Sequence, residues 1–382
     1  MRIDDLPIEL RVGQLLVVGF EGTRVSRALR QLLVDRGFGG VTLFARNVKG
    51  LSQVVDLCDA IADLPAAIPP IISVDQEGGP VMRLRVPPFT AWPAAGELAR
   101  CVARTGDLRI ARRLGRAMGR EMAAVGIHWD FAPVLDVNSN PRNPVIGVRA
   151  YGARPVEVAR VALEVERGLR SAGILTTGKH FPGHGDTTDD SHFVLPVVKH
   201  DARRLARMEL APFRAAVRAG IPALMTAHVL YPAWDRTNPA SFSPAILGGI
   251  LRDRLGFRGI VVSDDLSMAG ARHGQTIEEA ALRALLAGTD VLLLCHDPQA
   301  QRRVHRYLVD HVKRGDLPIG RVNDALRRVM AAKRRFVRRP PLRGKRLAWI
   351  GHPSHASLAA RILAGAASGA RPYPNRGPVA TR

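Results

Sequence analysis

Fifteen residues from Gly178 to His192, reading GKHFPGHGDTTDDSH, hold His180, His184 and His192 together with Lys179, Asp186, Asp189 and Asp190. Imidazoles move protons near neutral pH. A carboxylate two residues away, as Asp190 stands to His192, fixes the ring tautomer and favours its charged form. Such a pair can give a proton and later remove one from water. The same donors, His180, His184, Asp186, Asp189 and His192, also suit a metal-dependent hydrolase. No His-x-His pair ends the first apolar run, however, and no metal is expected. A second chemical candidate is Ser263-Asp264-Asp265, where an apolar run stops on two carboxylates. One of them could attack an electrophilic carbon or shield its charge while the histidine protonates a leaving oxygen, the division of labour that glycosidic cleavage requires. The residues alone leave the choice between Asp264 and Asp265 open, since Asp265 could cap the helix that comes next.

These side chains need a frame that brings distant segments to one place. Eight apolar, β-like runs are read at Gln14–Phe20, Gly40–Phe44, Ile71–Asp75, Phe131–Asp136, Ile174–Lys179, Ala223–His228, Gly259–Asp264 and Asp290–Cys295. Between and after them lie amphipathic stretches predicted as helices, among them Val25–Arg36, Leu51–Ala62, Asp107–Val125, Pro155–Ala172, Ala202–Ala219, Pro244–Leu255, Ile277–Ala287, Pro298–Lys313 and Ile319–Arg335. Eight βα units predict a single (β/α)8 TIM-like barrel over residues 1–339. Asp75, Asp136, Lys179 with His180, His228 and Asp264 all fall where a strand stops, so a closed barrel would gather them at one mouth. Asp136 and His228 are expected to be buried and hydrogen-bonded there, and Pro182, Gly183 and Gly185 to shape a tight turn. A doubly wound sheet is disfavoured because no GxGxxG or Walker loop follows the first strand. From Pro340 the chain turns rich in Ala, Gly, Pro and Arg, which predicts a short, poorly ordered extension over 340–382.

The 382 residues are 46% apolar, enough for a large core. No run is long enough to span a membrane, and the start of the chain reads as neither a signal peptide nor an anchor. Cys58, Cys101 and Cys295 are odd in number and far apart, which suits reduced thiols and a cytoplasmic protein. The formal charge of +22 raises nucleic acid as a partner, but only six of the 56 basic residues are lysines and no nucleic-acid motif accompanies them. An arginine-favouring composition accounts for the surplus, and no specific nucleic-acid function is expected.

Set side by side in chain order, SVDQEGG (Ser73 to Gly79), FAPVLDV (Phe131 to Val137), NPVIG (Asn143 to Gly147), KHFPGHGD with DSH, MTAHV (Met225 to Val229) and SDDLSM (Ser263 to Met268) resemble glycoside hydrolase family 3, specifically its single-barrel β-N-acetylglucosaminidases. The likeness runs over about residues 8 to 336. It implies that Asp264 is the nucleophile, that His192 and Asp190 form the acid/base dyad, and that Asp75, Arg83, Arg149, Lys179 and His180 hold the sugar. Pro80 and the residues around Arg149 (Val148, Ala150, Tyr151) depart from the family's usual pattern. The implied activity is retaining hydrolysis of terminal β-linked N-acetylglucosamine through a glycosyl-enzyme, in peptidoglycan recycling. A phosphorylase and a general hexosaminidase acting on chitin fragments are the alternatives. The resemblance implies a carbohydrate substrate, no cofactor, no membrane partner and a monomer.

Overall fold

The computed structural model describes residues 3–338 and 343–367. Ten strands occur among the described residues: β1 Leu16–Val18, β2 Gly40–Leu43, β3 Ile71–Val74, β4 Gln76–Gly78, β5 Val81–Met82, β6 Trp129–Asp130, β7 Leu175–Phe181, β8 Ala223–Thr226, β9 Ile260–Asp265 and β10 Val291–Leu294. Eight of them form a closed parallel barrel in the order β1-β10-β9-β8-β7-β6-β3-β2. Closure is made by β1, where Leu16 pairs with Leu292 on one side and Val17 with Gly40 on the other. The remaining two, β4 and β5, make an antiparallel hairpin immediately after β3. Strands such as Ile-Ile-Ser-Val and Val-Leu-Leu-Leu are buried along their whole length, as parallel strands covered outside by helices must be. The barrel interior is filled by side chains; its largest, Trp129, satisfies its indole N–H by donating to Thr177 Oγ1 at 2.6 Å.

The expected (β/α)8 barrel is therefore the fold, with two local departures. The run Phe131–Asp136 is not a regular strand, because β6 ends at Asp130 and Val134 makes only an isolated bridge with Lys179. Pro133 has no N–H to donate, which interrupts the ladder. The chain still follows β7, since Ala132 O accepts from Thr177 N at 2.9 Å and Leu135 N donates to Lys179 O at 2.6 Å.

The second departure concerns the end of the chain. Part of the expected irregular extension is helical, over Arg343–Leu347 and Pro353–Ala367. Leu358, Ala359, Ile362 and Ala366 recur at helical spacing and are buried, and the helix lies on Ala95–Thr105, a helix with no counterpart among the expected ones. Arg104 donates to Ala364 O, His355 meets Glu121 at 3.0 Å and Arg346 meets Asp59 at 2.7 Å. Alanine-rich composition concealed an amphipathic face. Residues 339–342 and 368–382 of that extension lie outside the described residues.

Candidate active site

The carboxyl ends of the strands converge as expected, and the first group they build is a chain of alternating charges. Asp75, just past β3, meets Arg83 Nη2 at 3.3 Å and Lys179 Nζ at 2.8 Å. Lys179, near the end of β7 and only 2% exposed, also meets Glu77 at 2.6 Å. Glu77 in turn receives a two-pronged contact from Arg149, with Nε and Nη2 both at 2.8 Å. The β4-β5 hairpin sets Arg83: Gln76 Oε1 accepts from Arg83 N at 3.0 Å and from Leu84 N at 3.1 Å. Burial alone would raise both carboxyls. Lys179 and Arg83 outweigh it at Asp75, holding it well below the usual range, and Arg149 and Lys179 hold Glu77 down to about 2. Three cations and two carboxylates thus stay ionised, with hydrogen-bonding atoms turned to a cavity.

Next to this chain lies a carboxyl of the opposite kind. Asp130, at the end of β6, is fully buried; its Oδ1 accepts from Gln76 N at 3.0 Å while Oδ2 has no hydrogen-bond partner. Burial pushes its pKa well above the ordinary value, against the pull of the Gln76 amide and Lys179, the opposite direction to its neighbours Asp75 and Glu77.

A second network fixes the turn after β7. Asp136 accepts from the backbone N–H groups of His180 (3.2 Å) and His184 (2.6 Å), and its other oxygen meets His180 Nδ1 at 2.7 Å. Gly185 lets this turn press onto the neighbouring loop, for a Cβ there would stand 1.7 Å from Val137 O. His184 is held between Ser191 Oγ at 2.9 Å and Thr187 Oγ1 at 3.0 Å, and burial lowers it to about 4. The turn therefore carries Ser191, and with it His192, toward the barrel mouth.

Asp264 and His192 face that mouth from opposite sources, one a strand end and the other a loop. Asp264 accepts from the Asp265 amide at 2.8 Å. Burial favours its neutral form, but His180, His228 and His192 draw it below the ordinary carboxylate value. His192 keeps 53% of its side chain exposed, and Asp190 Oδ1 accepts both from its backbone N–H at 2.9 Å and from ring Nδ1 at 2.7 Å. The Asp190 bond is the main reason the imidazole pKa is raised; burial opposes it and Asp264 adds to it. With Nδ1 committed to Asp190, Nε2 is the nitrogen free to transfer a proton.

A cavity of about 320 Å³ is lined by Asp75, Arg83, Arg149, Lys179, His180, His192 and Asp264, so every expected site residue reaches it except Asp190, which acts through His192. Its remaining walls include Phe44, Phe131, Val145, Met225 and Met268. Asp186 and Asp189 do not line it: the first pairs with His200 and Ser139, the second with Thr188. Asp136 and His228 are buried and hydrogen-bonded, as their strand-end positions suggest. Asp265 does not cap the next helix, Ala269–Arg272, which starts after Met268; it braces the turn after β9 instead, accepting from Ser267 N at 3.1 Å and from Ser267 Oγ at 2.5 Å, and it also meets His296. Reading the sequence missed Glu77 and Asp130. Glu77 sat in plain view in SVDQEGG, but its partners Lys179 and Arg149 lie far along the chain. Among the described residues no group of three His, Cys, Asp or Glu is placed to hold a metal. A wider groove of about 800 Å³ is lined by residues of helices Ile277–Ala287 and Pro298–Arg314, and in it Arg303 pairs with Glu278 and Asp297.

Comparison with known proteins places this geometry. The chain is 42% identical over 312 residues to the β-hexosaminidase of Alkalilimnicola ehrlichii, covering 81% of this chain and 88% of that protein. Among solved structures it resembles a glycoside hydrolase family 3 β-N-acetylglucosaminidase from Paenibacillus sp., with a TM-score of 0.87 and 38% identity over 94% of this chain and 68% of that one. It also resembles NagZ from Neisseria gonorrhoeae in complex with N-trifluoroacetyl-D-glucosamine, with a TM-score of 0.77 and 34% identity over 92% and 98% of the two chains. The family model described as the glycosyl hydrolase family 3 N terminal domain matches residues 7–332, and with barrel, motifs and relatives in agreement the chain belongs to glycosyl hydrolase family 3.

Proposed function

We propose that this chain is a β-N-acetylhexosaminidase that removes terminal β-linked N-acetylglucosamine with retention of configuration. The observation that carries the reading is that a partly buried carboxylate at Asp264, drawn below its ordinary pKa, and a carboxylate-anchored imidazole at His192 line one cavity together with the Asp75–Lys179–Glu77–Arg149 chain. The charged wall hydrogen-bonds the hydroxyls of the terminal sugar and fixes its anomeric carbon over Asp264. An Asp264 oxygen then forms a bond to that carbon as the glycosidic C–O bond breaks, and His192 Nε2 delivers its proton to the departing oxygen. His192 is left neutral, with Nε2 as an acceptor. It takes a proton from water, the hydroxide oxygen bonds to the anomeric carbon, and Asp264 is released.

Relatives named β-hexosaminidase and a neighbour bound to an N-acetylglucosamine analogue support the sugar class. Fragments of peptidoglycan are the natural source we assign, in the cytoplasm, where three buried unpaired thiols are stable. We read residues 1–339 as the catalytic unit, acting as a monomer, and 340–382 as an extension whose helix Pro353–Ala367 is braced on the flank of that unit.

The test is incubation with an aryl β-N-acetylglucosaminide, with and without phosphate, followed by early NMR of the product. Release of free β-anomer is expected. The α-anomer would overturn the assignment of Asp264, and a sugar phosphate as main product would make the enzyme a phosphorylase, which an imidazole base would permit since it presents no fixed anion to repel phosphate.

A further inference from the structure

The residue after the imidazole has no role in the chemistry just described, yet it is the most exposed large apolar side chain among those described. Phe193 is 72% exposed, and Val194 (48%) and Val197 (37%) continue the strip along the same loop. Single exposed hydrophobic residues need no explanation, but an aromatic that heads a short apolar strip directly after Ser191 and His192, two residues lining the cavity, does. The strip is not a frayed end. Asp190 O accepts from Phe193 N at 3.0 Å and from Val194 N at 3.1 Å, so the residue that orients the imidazole also fixes the backbone of Phe193. Farther on, Leu230 O accepts from Val198 N at 2.9 Å and Leu230 N donates to Pro196 O at 2.9 Å. On the inner side, Gly270 N donates to Ser191 O at 3.0 Å, a close approach that a side chain would obstruct, since a Cβ on Gly270 would stand 2.9 Å from that oxygen.

We propose that Phe193 is a specificity-determining residue that stacks on the sugar ring of the leaving group, the second ring of a β-linked disaccharide. The inference rests on the role assigned above to His192. A general acid must come within about 3 Å of the leaving oxygen, so the departing ring lies against the outer side of the imidazole. Consecutive Cα atoms are about 3.8 Å apart, which puts the Phe193 ring within reach of that departing sugar. The face of a pyranose presents C–H groups, the surface that an aromatic face accepts and a hydrated polar side chain does not. The charged far wall and the aromatic rim thus divide the substrate: the wall takes the sugar that is kept on Asp264, and the rim takes the sugar that leaves.

The test compares two substrates whose leaving oxygens need the same proton, N,N′-diacetylchitobiose and methyl β-N-acetylglucosaminide, of which only the first has a leaving ring. In Phe193→Ala the ratio of kcat/KM for chitobiose to that for the methyl glycoside should fall about three- to tenfold. Phe193→Trp should restore it. Thermal melting of both variants checks that they fold. An unchanged ratio in Phe193→Ala overturns the proposal, and so does a ratio that Phe193→Trp leaves low. Failure of the underlying reading looks different: there the wild-type enzyme cleaves neither substrate, or His192→Ala leaves both rates intact.

Discussion

At the end of the barrel where β3, β7 and β9 finish, Arg83, Asp75, Lys179, Glu77 and Arg149 alternate in sign and keep polar atoms turned to a cavity of about 320 Å³. At the opposite end the pairing is closed. Asp290, fully buried just before β10, accepts from Arg252 at 2.7 Å, Arg321 at 2.9 Å and Arg328 at 3.0 Å. Nearby, Lys333 reaches in from helix Ile319–Phe336 and donates to Gln14 Oε1 at 2.7 Å and to Pro69 O at 2.9 Å, both neutral acceptors. The same residue types therefore serve two ends. What separates them is what they face: the upper group lines an open cavity, where we propose that it binds the sugar, and the lower group is satisfied by the protein. Part of the large basic surplus is thus structural, since Arg252, Arg321, Arg328 and Lys333 are spent in the floor of the barrel.

The comparison makes opposite demands on substitutions at the two ends. At the mouth, Asp264→Asn should lower kcat/KM on an aryl N-acetylglucosaminide by at least about 10⁴-fold, because the nucleophile is lost with little change in shape. The melting temperature should hold or rise, since a partly buried carboxylate at an active site is not there for stability. Turnover near the wild-type level would break the contrast at its strongest point. At the floor, Asp290→Ala leaves three guanidinium groups without their shared carboxylate and should cost about 3 to 5 kcal/mol in urea unfolding. Its activity while folded should stay within about twofold of wild type. Lost activity with normal stability would mean that the floor is not merely structural.

How far this division could be read beforehand depends on the distance between partners. The mouth was legible because several strands end on a polar residue, and a barrel brings such positions together. Asp75, Lys179, His180 and Asp264 were found on that signal with the motifs around them. Glu77 escaped because it lies one hairpin beyond the strand end and becomes meaningful only when Arg149 and Lys179 are folded against it. Asp130 escaped because the expected strand starts one residue later, at Phe131, so that Asp130 falls before its start, although Pro133 marks where the ladder is interrupted. The floor was not legible at all: Asp290, Arg252 and Lys333 are isolated letters in sequence, and only the helix that crosses beneath the strands joins them. Helix Pro353–Ala367 was missed for a third reason, that composition was read where the spacing of Leu358, Ile362 and Ala366 carried the information.

A subtler difference between the ends lies in proton binding. Burial lowers Lys333 to about 7 in the folded protein, whereas its ordinary value is 10.5. Between these values the unfolded chain holds a proton that the folded chain does not, so this residue makes stability rise with pH from about 7 upward; below pH 7 the cost of burying the charge is present in full. Urea unfolding at pH 7 and pH 10 should show a gain on the order of 3 kcal/mol in wild type beyond that in Lys333→Met, which has no such proton to lose. Equal pH slopes in the two proteins would show that Lys333 reaches water or an anion in solution. The Asp75–Lys179–Glu77 group at the mouth should contribute no such slope near neutrality, because Asp75 and Glu77 are held low and Lys179 is raised.

The smallest effect concerns the one titration that belongs to the mouth. His192 must be protonated to serve as the acid, and Asp190 raises its pKa above the ordinary 6.5 first through the hydrogen bond to Nδ1 and then through its charge, against the effect of burial. For a raised pKa the charged form is complete below 6.5 and is lost as pH climbs through the folded value, so kcat/KM on the methyl glycoside should fall on an alkaline limb above pH 6.5. The acid limb, set by Asp264, should lie below the ordinary carboxylate range. Asp190→Asn keeps an oxygen to accept from Nδ1 but removes the negative charge, and Asp190→Ala removes both. The alkaline limb should therefore move toward 6.5 in both variants and farther in Asp190→Ala. The limiting rate should drop more in Asp190→Ala as well, by about tenfold to 10²-fold, because orientation is lost along with proton affinity. An activated aryl glycoside, whose oxide leaves unprotonated, should show little of this limb in its first step. An alkaline limb that stays in place when Asp190 is changed would take the proton transfer away from His192 and assign it to another group at the mouth.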